Sequence, residues 1–444
     1  MIPLCSLSRS SSAGSKASPG NQSGIVDNLL MIATVLWICL AMATSSHAQT
    51  FTSLYSFKGG TKDGATPYGG LIDVNGTFYG TASSGGAYGY GVVFKLTSAK
   101  KETILHSFKG YPDDGATPGY MNLITDGKGN LYGTTAYGGN GPCKANGVAE
   151  GCGTIFKITT AGKETVLYSF QYGPKDGAGP NGTLAIDDSD NLYGTTVAGG
   201  NLVSGCLNGE GCGIVFEYSA AGTEKVLYTF CPDAAAKCPD GAGPSGVLVR
   251  DSSGNLYGTT AGGGAHLGGT VFKITPGSEK ESVLYSFCAN KGCTDGEGPM
   301  GGLAIDTTTD VLYGTTNSGG TGLCGQTAGG GTLFEITTVG KSFDVLHSFG
   351  SYAGDGCGLY GAPALDSKGN IYGTTLAGGE SGAVGTVFEY SASGMESILY
   401  NFALNAEEHA VLPFDTLIYS NGALYGTTSG GGADSEGSVF ELVP

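Results

Sequence analysis

The sequence predicts an all-β fold, a seven-bladed β-propeller of four-stranded blades, from three observations. Glycine supplies 82 of the 444 residues, roughly 18% against an average near 7%. Glycine costs about 1 kcal/mol at each interior helical position, so long helices are excluded. The string Leu-Tyr-Gly-Thr-Thr or a near variant recurs seven times, with its Tyr at Tyr79, Tyr132, Tyr193, Tyr257, Tyr313, Tyr372 and Tyr425. Each copy travels with three other short apolar segments, and seven copies of a four-strand unit at a period above fifty residues is the pattern of a seven-bladed ring. The alternative is a β-solenoid, whose repeats are shorter and need capping ends.

Each segment has a place in the unit. A Gly-x-aliphatic-Phe-Lys/Glu string carries Phe94, Phe156, Phe216, Phe272, Phe334, Phe388 and Phe440. A Leu-Tyr/His-Ser-Phe string carries Phe57, Phe108, Phe170, Phe230, Phe287, Phe349 and Phe402. An apolar segment such as Gly302-Leu303-Ala304-Ile305-Asp306 precedes each Leu-Tyr-Gly-Thr-Thr. The segments are rich in Val, Ile, Tyr, Phe and Thr and bounded by Gly and Asn, as strands are. By analogy with propellers that share the phrase Asp-x-x-Gly-Asn-Leu-Tyr, the apolar segment is the innermost strand, a. Leu-Tyr-Gly-Thr-Thr is then b, the Phe-Lys/Glu string c, and the Ser-Phe string the outer strand d. The first segment after the N-terminal region is a d (Leu54-Tyr55-Ser56-Phe57), and the chain ends with a, b and c. The first strand is therefore expected to complete the last blade and close the ring, which removes the open edge.

Residues 29–43 are the longest apolar run. The run is short for a membrane span and suits a signal-peptide core. Ser46-His47-Ala48 offers small residues for cleavage before Gln49. Residues 1–48 are thus expected to be a signal peptide and 49–444 a single propeller, secreted or held at a bacterial surface or in the periplasm, with no membrane span after cleavage. The formal net charge of −17 repels phosphate backbones, so nucleic acid is not an expected partner. A monomer is expected.

The a–b and c–d turns are short. The d–a and b–c connections are longer and differ between units, and in a meander both emerge on one face. The ten cysteines beyond residue 48 follow this division. Cys143 with Cys152 and Cys206 with Cys212 lie in b–c loops, and Cys231 with Cys238 and Cys288 with Cys293 in d–a loops. Cys324 and Cys357 belong to neighbouring loops. An exported chain with an even count reads as five local disulfides, ahead of a metal reading that lacks zinc-ribbon spacing.

Candidate chemistry is sparse. Asp-Gly opens six of the seven d–a loops, at Asp63, Asp114, Asp176, Asp240, Asp295 and Asp355. A ring of carboxylates can bind Ca²⁺, but near-perfect repetition favours a structural Asx-turn role. The turn at Asp187, Asp188 and Asp190 is a weaker Ca²⁺ candidate, without a closing Glu. No other cofactor is implied. The seventh d–a loop departs from the repeat and holds Glu407 and His409, the acid/base candidates, with a divergent solvated loop as the simpler reading. Off-pattern tyrosines carry the binding signal: Tyr68, Tyr88, Tyr90, Tyr111, Tyr120 and Tyr137 in the first two units, with Tyr352 and Tyr360 a smaller set. A tyrosine offers a rigid apolar face and a polar tip, suited to sugars or protein partners.

The strings Leu-Tyr-Gly-Thr-Thr, the Gly-Gly after it and Gly-Thr-Val-Phe-Lys resemble the GloVer tandem-repeat proteins, a family of secreted or surface-sorted bacterial proteins. The resemblance covers residues 50–444. It implies little about activity. Members often carry a C-terminal surface anchor; the ending Glu441-Leu442-Val443-Pro444 has none, which points to release. The expected function is a secreted module that binds a glycan or protein through the long-loop face. The alternatives are a polysaccharide lyase or hydrolase and a structural envelope protein.

Overall fold

The computed structural model describes residues 49–444, except 120–121, 203–205, 207–208, 233–236, 279, 326, 339–341, 381–382, 404–409 and 415. Among the described residues the blade strands form seven antiparallel sheets in the order a-b-c-d, and the loops add two-stranded sheets. Blade 1 runs Ile72–Val74, Thr77–Ala82, Val92–Thr97 and Glu102–Ser107, and blade 2 runs Ile124–Thr125, Asn130–Thr135, Thr154–Thr159 and Glu164–Ser169. Neighbouring a strands touch one another around the ring, which makes a the inner strand. Blade 7 takes a, b and c from Ile418–Ser420, Ala423–Thr428 and Ser438–Val443, and its d from Thr50–Ser56. Thr50 faces Val443 and Ser56 faces Ser438 in that pairing. The ring is a closed seven-bladed propeller, and the solenoid alternative falls because first and last strands pair.

The repeated strings explain the packing. The Phe of each strand d meets the Phe of strand c in the next blade, edge to face in six pairs and tilted in Phe349–Phe388. Ring centroids are 5.1 Å apart for Phe57–Phe94 and Phe170–Phe216, and 5.5 Å for Phe402–Phe440. Such pairs add about 0.5–1.5 kcal/mol to simple burial. Within each blade the same strand-c Phe lies over the glycine of Leu-Tyr-Gly-Thr-Thr. A Cβ at Gly314 would stand 2.4 Å from Phe334 Cζ, and one at Gly194 2.5 Å from Phe216 Cζ. In five blades the last Thr of the string is buried and pairs with a hydroxyl on strand c, as in Thr135–Thr154 at 2.8 Å and Thr316–Thr332 at 2.9 Å.

The Asp of each Asp-Gly is buried and acts as a latch. Its carboxylate accepts from backbone N–H groups and from the Tyr or His of strand d. Tyr55 donates to Asp63 at 2.7 Å, and Lys58 and Gly64 N–H at 2.9 and 2.7 Å. Tyr168–Asp176, Tyr228–Asp240 and Tyr285–Asp295 repeat the contact at 2.8–2.9 Å. His106 and His347 take the tyrosine's place, 2.9 Å from Asp114 and 3.1 Å from Asp355. The Asp ring therefore serves the outer seams between blades.

A residue at the start of the next strand d completes each seam. It is Glu102, Glu164, Glu224, Glu281 or Glu396 at five seams, each with one carboxyl oxygen shielded and unpartnered. Burial, and then the adjacent Asp, pushes Glu102, Glu164, Glu224 and Glu281 up to about 7. At the other two seams a phenylalanine stacks on the tyrosine: Phe343 on Tyr285 at 3.7 Å and Phe51 on Tyr400 at 4.1 Å.

The d–a and b–c loops share one face, where they pair directly: Gly64–Ala65 with Ser84–Gly85, Gly115–Ala116 with Tyr137–Gly138. All five expected disulfides are there, Cys143–Cys152, Cys206–Cys212, Cys231–Cys238, Cys288–Cys293 and Cys324–Cys357. Among the described residues no helix is long and apolar enough to cross a membrane.

Candidate functional site: the central mouth

The d–a loops feed the inner strands, so their last residues meet at the ring axis on the long-loop face. There they enclose a cavity of about 360 Å³. Every blade contributes, largely from the residue after the loop proline or its equivalent: Tyr68, Asn181, Ser245, Met300, Tyr360 and Phe414. Asn122, Thr183 and Thr416 add side chains from the next turn inward.

The mouth is two-sided. Blades 6, 7 and 1 present a continuous aromatic wall, with Tyr360 and Phe414 centroids 4.6 Å apart and Phe414 and Tyr68 5.4 Å apart. Blades 2, 3 and 4 present amides and hydroxyls. Asn122 Oδ1 accepts from Gly70 N–H at 2.8 Å, and Thr183 Oγ1 from Asn122 N–H at 3.2 Å, which ties the blades together and orients both groups. Among the described residues the Asn181 side chain has no hydrogen-bond partner, so its amide is available to a ligand. None of the described lining residues is charged. A second cavity of about 790 Å³ between blades 2 and 3 shares Asn181 and Val197 with the mouth, and Tyr137, Tyr172, Lys144, Glu150 and Glu210 line it.

The structure separates the residues expected at a site. Tyr68 lies in the mouth and Tyr137 beside the second cavity. Tyr88, Tyr90 and Tyr111 stand at the rim of blades 1 and 2, each about half exposed, with Lys109 Nζ 6.0 Å from the Tyr88 ring and Gly110 packed against Tyr90. Tyr120, Glu407 and His409 lie outside the described residues. The Asp187 turn does not gather its carboxylates. Asp187 accepts from Ser189 and Asn191 N–H, the Asn191 amide and the Tyr193 hydroxyl, while Asp190 pairs with Lys128 of the neighbouring blade at 2.7 Å. Despite burial, the bonds from Asn191, Ser189 and Tyr193 hold Asp187 below the usual carboxylate range. Phe414, Asn181 and Ser245 were not legible as site residues. The usable signal was that the residue following the loop proline changes character from unit to unit inside an otherwise constant phrase.

The repeat-family model described as the Gloeobacter/Verrucomicrobia repeat matches residues 41–142, 143–327 and 320–444. The chain belongs to this family. The matches extend across all seven blades and their mouth-forming loops. No curated protein matches the sequence. Among solved structures, the repeat protein resembles an oligogalacturonate lyase from Vibrio parahaemolyticus, at 9% identity and TM-score 0.52, over 90% of this chain and 94% of that one. An oligogalacturonate lyase in complex with manganese is similar at 10% identity and TM-score 0.51, again over 90% and 94%. At these identities the likeness is one of fold.

Proposed function

We propose that the protein is an exported binding module that takes a neutral sugar of a glycan in the central mouth. One observation carries this reading: the aromatic wall of Tyr360, Phe414 and Tyr68 faces the amide and hydroxyl wall of Asn122, Asn181, Thr183 and Ser245 across an uncharged cavity. A sugar ring has an apolar face that stacks on aromatic rings and an edge of hydroxyls that needs fixed donors and acceptors, and such sites are concave and largely pre-formed. The five loop disulfides support pre-organisation, because a braced loop loses less entropy on binding. They also accord with export through the apolar segment at residues 29–43.

The test is a glycan array on residues 49–444, followed by calorimetry with each neutral oligosaccharide that binds. Tyr360→Ala and Phe414→Ala should each weaken binding about tenfold, in line with the loss of a ring contact worth about 1.5 kcal/mol. Tyr88→Ala, at the rim, should leave affinity unchanged. Equal affinity in the mouth variants would overturn the assignment. The lyase reading draws on Glu407 and His409 and on the fold likeness. Turnover of a polysaccharide that Glu407→Gln abolishes would establish it in place of binding alone.

A further inference from the structure

The outer seams carry a second chemistry. Three groups of side chains come together at two of them: His106, Asp114 and Glu164 between blades 1 and 2, and His347, Asp355 and Glu396 between blades 5 and 6. We propose that these are two equivalent sites for a divalent transition-metal ion of the Zn²⁺ class, each bound by one imidazole nitrogen and two carboxylate oxygens.

In each trio the ligand atoms lie within 4.8 Å of one another. The three residues come from separate elements: the outer strand d, the d–a loop that follows it, and the strand d of the next blade. An ion would therefore tie adjacent blades together. A zinc ion needs these atoms at about 2.0–2.2 Å, a modest contraction of the trio. The ligand set, one nitrogen and two oxygens, leaves room for water and matches imidazole's preference for zinc over calcium.

Comparison among the seven seams supports the site. A latch needs only a tyrosine hydroxyl, as Tyr55, Tyr168, Tyr228 and Tyr285 show. The imidazoles at His106 and His347 supply what a latch does not require. Both histidines face a Glu. Where Phe343 or Phe51 replaces that Glu, the residue opposite is a tyrosine, Tyr285 or Tyr400. Some of the oxygens are also left over, although both oxygens of Asp114 already accept bonds. The Asp355 side chain is fully buried with Oδ1 unpartnered, and Glu164 and Glu396 each keep one shielded oxygen without a partner. With no cation present, two carboxyl groups share each seam with a single imidazole; a dication offsets both. Lys109 stands near the first site and Tyr352 donates to Glu396 at the second.

Tag-free residues 49–444, stripped with a chelator and dialysed, should be titrated with Zn²⁺ by calorimetry. The expected result is two ions per chain, one in His106→Tyr or His347→Tyr, and none in the double variant. These variants install the residue that four other seams already use, so the latch and the fold are kept, which circular dichroism and a metal-free melt verify. Glu164→Gln with Glu396→Gln should weaken both sites at least tenfold by a different route. The melting temperature should rise with Zn²⁺ in the parent and not in the double Tyr variant, and Ca²⁺ should not compete. No saturable binding by the parent, or two ions retained in the double Tyr variant, would overturn the proposal.

Discussion

Glycine does two unlike jobs in this chain, and they separate residue by residue. In turns it supplies backbone conformations with positive φ. In strand b it supplies absence: the strand-c phenylalanine occupies the volume a methyl group would need. Gly314→Ala would bring its Cβ to 2.4 Å from Phe334 Cζ and 2.9 Å from Leu303 Cδ2, with both partners fully packed. The expected cost is about 1–3 kcal/mol, the usual range for overpacking a tight core. Gly262, at the end of strand b in blade 4, is the control. Its Cβ would meet nothing closer than 4.0 Å and its φ is not positive, so Gly262→Ala should shift stability by no more than about 0.5 kcal/mol. Urea melts of the two variants check the contrast.

The seam between outer strands is the element with a pH dependence. Glu102, Glu164, Glu224 and Glu281 have carboxyls raised to about 7 by burial and by the neighbouring Asp. Between the unfolded value near 4.5 and about 7 the folded chain holds more protons than the unfolded one. Stability from this source is fully present below about 4.5 and is lost as pH rises through about 7. The melting temperature should therefore fall between pH 5 and pH 8. Blade 5 shows how to remove the effect, since Phe343 fills the same position and stacks on Tyr285. Glu281→Phe should place a ring against Tyr228, flatten its share of the pH dependence and raise the melting temperature at pH 8. A steeper fall in that variant would contradict the assignment.

Closure is a property of the whole molecule. The strand Thr50–Ser56 is the outer strand of a blade whose other three strands lie at the opposite end of the chain. Deleting residues 49–56 should leave an unpaired edge on Ser438–Val443 and expose Phe440 and Phe402, whose rings Phe51 now covers. An open edge beside exposed aromatics invites pairing with another chain. The truncated protein is expected to melt at lower temperature and to form oligomers on size-exclusion chromatography, where the full propeller keeps one elution volume.

Most of the fold was readable because a blade is a local object written seven times. Periodicity placed strands a to d, their phase announced the closing strand, and the spacing of Cys143 and Cys152 or Cys288 and Cys293 marked bridges within single loops. The site was readable only in part. Tyr68 stood out as an off-pattern aromatic, yet so did Tyr88 and Tyr111, which the ring places at the rim. Phe414 and Asn181 looked like ordinary loop residues, since nothing local says that residues more than two hundred positions apart face each other across an axis. The same holds for the seams, where Asp114 reads as a turn residue and Glu164 carries no signal of its own until the next blade buries them together. Sequence alone determined the repeated blade, because strand pattern and turn chemistry act over a few residues. Only the closed ring decided which residues share the mouth and which carboxyls share a seam, because both depend on packing one blade against another.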